Sequence, residues 1–133
     1  MTKLIKHLSG PNSILFFGIV YTTFITVALL FPNTDYLPKV DLLIPIDKLI
    51  HVLISLILVF IWLLYFFKRQ RFIVLNLLIK VIITCFIYGI LIEVFQQLFV
   101  TTRQADFLDV LANSIGLILG VSLFWKVKSR IKT

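Results

Sequence analysis

The chain has 133 residues, of which 60% are hydrophobic and 14% charged, with a formal net charge of +7. A soluble domain is typically about 45–50% apolar and about 25% charged, so this composition excludes a water-soluble globule and indicates an integral membrane protein. The length admits four spans with short loops and leaves no room for a separate soluble domain, so residues 1–133 are read as one transmembrane domain.

The first apolar segment is residues 13–31. It follows a short basic stretch, as a signal peptide would, but the sequence after it, LLFPNTDYLP, carries no small-x-small cleavage site. It is therefore read as a retained helix. Pro32-Asn33 is a turn signal that ends it. Residues 32–46 form a loop with three prolines. Asp47 is read as the N-cap of a second helix over residues 47–67. Lys68-Arg69-Gln70-Arg71 forms a basic turn, and a third helix covers about residues 72–100. Residues 101–104 make a second turn before a fourth helix at about residues 105–125, and the basic tail KVKSRIKT follows. Each segment is near or above the roughly 20 residues that cross ~30 Å of hydrocarbon. The expected fold is all-α: a polytopic membrane protein built as a four-transmembrane-helix bundle. The single cysteine, Cys85, lies mid-span and reads as a small packing residue.

The charges are sided. Nine Lys and Arg fall on one side of these spans: Lys3, Lys6, Lys68, Arg69, Arg71, Lys126, Lys128, Arg130 and Lys132. Three fall on the other, Lys39, Lys48 and Arg103, while Lys80 lies within the third helix near its basic end, where its stem can snorkel. The positive-inside rule then predicts that both termini are cytoplasmic. This pattern accounts for the positive charge as membrane topology, and no nucleic acid is expected as a partner. All six acids lie in the outer half. Insertion does not require that clustering, because Asp and Glu contribute little to the rule.

Three polar stripes converge at this outer end. Asp47, His51 and Ser55 are spaced i, i+4, i+8 on the second helix, with Lys48 beside them. Glu93, Gln96 and Gln97 are read as one face of the third. On the fourth, Asp106, Asp109, Asn113, Gly116 and Gly120 follow at steps of three and four, and Arg103 precedes them in the turn. Ionisable groups inside a span usually face the bundle interior and pair there, so the stripes are expected to form one outward-facing polar pocket. Gly116-x-x-x-Gly120 is expected to bring its helix close to a neighbour, and Gly89 to do the same for the third helix.

Each candidate has a structural reading beside the chemical one. Asp47 as an N-cap is worth about 0.5–2 kcal/mol. Asp106 and Asp109 favour the positive end of the fourth helix by about 0.3–1 kcal/mol each. Glu93 is too deep to cap and must pair or take up a proton. His51, Glu93 and Asp109 are accordingly the candidate catalytic residues, with His51 as a base near neutral pH and Glu93 as an acid or base. Asp47, Lys48, Gln96, Gln97, Arg103, Asp106 and Asn113 are candidate ligand-binding residues, Lys48 and Arg103 suiting an anionic headgroup. Asp47, His51, Glu93 and Asp109 offer oxygen and nitrogen donors to a metal. With one histidine in the region and no cysteine ligand, however, no metal is expected and no cofactor is identified.

The residues Asp47-Lys48-Leu49-Ile50-His51, then Glu93-Val94-Phe95-Gln96, then Arg103 through Gly116 (RQADFLDVLANSIG) with Gly120 after them resemble the VanZ-like family. The family pattern is D-K-x-x-H, then E-x-x-Q, then R-x-x-D-x-x-D-x-x-x-N-x-x-G. The resemblance runs from residue 47 to 120, and the first helix fits by position only. An aromatic that often follows the motif histidine is absent, since residues 52–54 are aliphatic. The resemblance implies a multi-helix protein of the bacterial plasma membrane and, for the family's founder, lowered sensitivity to teicoplanin. It implies no particular reaction.

The function expected is an enzyme or binding site for a lipid-linked cell-envelope molecule, linked to glycopeptide tolerance, with a membrane lipid or lipid-linked precursor as partner. The alternative is a non-catalytic accessory protein whose polar cluster only holds the bundle, meeting a membrane-protein partner or a second copy. Ion movement fits less well, because the inner half offers little beyond Asn76, Lys80 and Thr84.

Overall fold

The computed structural model describes residues 3, 9–31, 46–100 and 106–130. These form four long helices, α1 Pro11–Leu30, α2 Ile46–Gln70, α3 Leu75–Phe99 and α4 Phe107–Lys128, and no strand lies among them. Each is long and apolar enough to cross a membrane. The prolyl loop and Arg103 lie outside the described residues.

The helix boundaries follow from local chemistry. Pro11 opens α1 in the first turn, where its missing N–H costs nothing and its fixed φ suits the helix. Helix α2 begins at Ile46, so Asp47 sits inside the first turn rather than capping it. There its charge still favours the positive end of the helix dipole. At the other end α2 runs past the expected residue 67 through Lys68 and Arg69. Lysine and arginine are good helix formers and favour the negative end, so a boundary drawn at the last apolar residue stops too early. The same reasoning carries α4 beyond Trp125 to Lys126 and Lys128. Arg71 then reverses the chain with φ 70, its amide donating to the Phe67 carbonyl at 2.8 Å. This is the left-handed closing position that glycine usually takes.

The most extensive helix contact joins α2 to α4. It depends on two glycines. A methyl group on Gly116 would overlap the Val52 carbonyl oxygen and stand 2.8 Å from Ser55 Cβ. On Gly120 it would overlap Val59 Cγ1 and stand 2.7 Å from the Leu56 carbonyl oxygen. The expected close approach at Gly116-x-x-x-Gly120 is therefore present, and the groove it enters belongs to α2. Gly89 of α3 faces the Asn113 side chain instead, 3.0 Å from where its Cβ would lie.

Below this contact lies an apolar core of Leu58, Val59, Leu63 and Phe67 with Val81, Cys85, Leu117 and Phe124. Phe124 stacks edge-on against Phe60 and Phe67. Helix α1 is attached largely through side chains. Tyr21 Oη donates to the Ile54 carbonyl at 3.0 Å, Thr26 and Tyr88 share a hydroxyl contact of 2.6 Å, and Gln96 Nε2 donates to the Leu29 carbonyl at 2.8 Å. The outer faces carry exposed Phe16, Phe24, Leu75 and Ile118. In water such faces would drive aggregation, whereas in hydrocarbon they meet solvent like themselves.

Candidate functional site

The polar residues gather where α2 and α4 begin and α3 ends. Helix α2 supplies Asp47, Lys48, His51 and Ser55, α3 supplies Glu93 and Gln96, and α4 supplies Asp109 and Asn113, with Asp106 at its start. The one-sided spacing on each helix turns all of these toward one another once the glycine contact draws α2 and α4 together.

Lys48 is the hub. Its Nζ lies 3.1 Å from Asp47 Oδ2 and 2.5 Å from Asp106 Oδ2, and it also donates to Asp109 Oδ1. The sequence reading gave this lysine to an anionic headgroup. The structure commits it to three carboxylates, because an ammonium with three donors satisfies three acceptors at once. The Lys48 ammonium also holds the Asp106 carboxyl below the usual carboxylate range, helped by the Leu108 amide.

Asp106 caps α4. Its backbone is extended and its Oδ1 accepts from the Leu108 amide at 2.9 Å. Its own amide donates to Glu93 Oε1 at 3.0 Å. Glu93, too far from the start of α3 to cap its own helix, thus helps to fix the start of another. Deeper still, Ser55 Oγ donates to Asn113 Oδ1 at 2.8 Å. Ser55 was legible as the third member of the α2 stripe, two turns below Asp47, and its partner is the third polar member of the α4 stripe.

His51, Glu93 and Asp109 form the centre of the cluster, one from each of three helices. They are 2%, 5% and 4% exposed. One donor atom from each lies within 4.8 Å of the other two. His51 Nε2 stands 3.6 Å from Asp109 Oδ2, beyond hydrogen-bonding distance. The three expected catalytic residues are therefore brought together, but beneath the surface rather than around an open pocket. Asp47 and Asp106 form the more exposed rim above them.

The remaining candidates divide. Gln96 is buried on the face shared with Glu93, its amide nitrogen spent on α1 and its Oε1 without a hydrogen-bond partner among the described residues. Gln97 is exposed and lies off that face, since the next helical position turns by 100°. Two larger cavities lie elsewhere, of about 440 Å³ beside Trp62, Lys80 and Tyr88 and about 430 Å³ beside Phe86, Leu117 and Val121.

The arrangement rests on the residues that carry the resemblance, and a family model described as VanZ/LLP1 matches residues 11–129. The chain belongs to the VanZ/LLP1 family. Helix α1, which fitted by position alone, falls inside the matched range together with all the site residues. No curated protein and no solved structure matches the chain significantly. Membership of the VanZ/LLP1 family and four membrane-crossing helices thus go together in one chain.

Proposed function

We propose that this VanZ/LLP1 chain binds a lipid-linked molecule of the bacterial cell envelope and acts on it by acid–base chemistry at the polar end of the bundle. The observation that carries the reading is the trio itself. Buried ionisable groups in a membrane span are costly and mark functional sites by default. Here three of them, from three helices, converge within 4.8 Å. In this reading His51 is the base, Asp109 steers its ring from 3.6 Å, and Glu93 supplies or takes up the second proton. Exposed Leu98, Phe99, Phe107 and Leu108 surround the same end with apolar surface, which suits a substrate that arrives within the membrane. The setting is the bacterial plasma membrane with both termini cytoplasmic, and the phenotype is lowered sensitivity to teicoplanin-type glycopeptides.

The test is purified protein in lipid nanodiscs, incubated with extracted envelope lipids and followed by mass spectrometry. Wild type alters or retains one lipid-linked species, and His51→Gln, Glu93→Gln and Asp109→Asn abolish this while eluting as intact protein. An extract unchanged and unbound by wild type refutes the reading.

A second reading has its own support. Lys48 is held by three carboxylates, and Glu93 fixes the start of α4. Those are the contacts of a cluster that holds a bundle in register, as in a non-catalytic accessory protein. It predicts a specific membrane-protein partner or a second copy recovered by crosslinking in native membranes, and it fails if none is.

A further inference from the structure

We infer that His51, Glu93 and Asp109 hold one divalent cation of the zinc–manganese class. The donors are one imidazole and two carboxylates, a mixed nitrogen and oxygen set that suits borderline and hard divalent ions rather than soft ones. Each comes from a different helix, and each is at least nine-tenths buried.

The spacing is the second observation. Zinc binds nitrogen and oxygen donors at about 2.0–2.2 Å, which places two donors of a tetrahedral site about 3.4 Å apart. His51 Nε2 and Asp109 Oδ2 stand 3.6 Å apart, too far for a hydrogen bond and close to that tetrahedral edge. All three donor atoms fall within 4.8 Å of one another, so small side-chain rotations bring them onto one ion.

The surroundings suit a metal site too. The other oxygen of Asp109 accepts from Lys48, and Glu93 Oε1 accepts from the Asp106 amide. Such outer contacts orient ligating carboxylates and raise the affinity of metal sites. Three protein ligands leave a coordination position for water or substrate, the pattern of catalytic rather than structural sites. The histidine count argued against a metal in the sequence, but a site with one histidine and two carboxylates needs no more. Asp47, the fourth ligand considered there, is turned to Lys48 instead.

The inference deepens the proposed reading of the trio and rests on it only for the use the ion is put to. Binding is measured without any lipid. The full chain in detergent is stripped with chelator and titrated separately with Zn²⁺, Mn²⁺ and Co²⁺. One ion per chain is expected, with visible Co²⁺ ligand-field bands of a low-coordinate site. His51→Gln, Glu93→Gln and Asp109→Asn each weaken binding by about tenfold or more, whereas Ser122→Ala, on an exposed surface of α4, does not.

A wild-type stoichiometry well below one, a Co²⁺ spectrum no different from the aqueous ion, or variants that bind like wild type overturns it. If the variants fail to fold, the wild-type Co²⁺ spectrum decides alone. Lipid turnover lost in the variants without metal uptake by wild type sinks the ion and keeps the acid–base reading. Metal uptake without any effect on envelope lipids keeps the ion and sinks the lipid reading.

Discussion

Replacing Gly116 by alanine tests whether the α2–α4 contact carries the site. The new methyl meets the Val52 carbonyl oxygen, a backbone atom that cannot rotate aside, and Ser55 Cβ at 2.8 Å. Ordinary contact begins at 3.4 Å, so the two helices must separate by about an ångström, as overpacking of a rigid interface requires. Overpacking of this kind costs about 1–3 kcal/mol. The better helix propensity of alanine returns about 1 kcal/mol. Separation also breaks the buried Ser55–Asn113 hydrogen bond, and stranding its members costs about 1–3 kcal/mol. The net loss is about 2–3 kcal/mol. Gly89→Ala is the control, because its methyl meets only Asn113 Nδ2 at 3.0 Å, the end of a side chain that can yield. Its net effect is within about 1 kcal/mol of zero. Reversible unfolding in mixed micelles measures both. Gly116→Ala as stable as wild type, or less damaging than Gly89→Ala, refutes the reasoning.

Three further outcomes are expected. Lys48→Met removes the cation from three carboxylates, one of them buried, and destabilises by about 3–5 kcal/mol in the same assay. Asp109→Asn in that background restores part of the loss, and additive effects refute the pairing. Arg71→Gly relieves a left-handed backbone at the end of α2. It raises stability by about 1 kcal/mol, whereas a lower melting temperature refutes the strain. Because the Asp106 carboxyl is held low in the folded state, its contribution is fully present above its unfolded value and is lost as pH falls through the lowered one. Melting temperature therefore declines on acidification below about pH 4, and Asp106→Asn makes that decline shallower.

The four helices were legible because apolar runs of this length have few other uses. Their ends were less so, since Ile46 and Lys126 are joined to their helices by backbone bonding that an apolar run does not reveal. The convergence of Asp47, His51, Glu93, Asp106, Asp109 and Asn113 was legible from spacing on each helix. The pairing within it was not. Which carboxylates take Lys48 depends on how deeply Gly116 lets α4 sink into α2, a tertiary distance with no local signal. Gln97 was misplaced by treating neighbouring glutamines as one face. The bonds to α1 also escaped notice, because Tyr21, Thr26 and Tyr88 belong to no polar stripe.

The partnership of α2 with α4 also shapes how the protein must be made. Lys48 and its carboxylate on α4 are 61 residues apart in sequence, so α2 emerges from the ribosome well before the helix that neutralises it. At about 5–20 residues per second, roughly 3–12 s of synthesis separate the two. During that interval the face bearing His51 and Ser55 stands without its acidic and amide partners. A nascent α2 released directly into lipid would carry those groups into hydrocarbon uncovered. The chain therefore calls for an insertase or translocon that shelters its second helix until the last one is delivered, and slowing translation between residues 75 and 106 would lengthen that dependence.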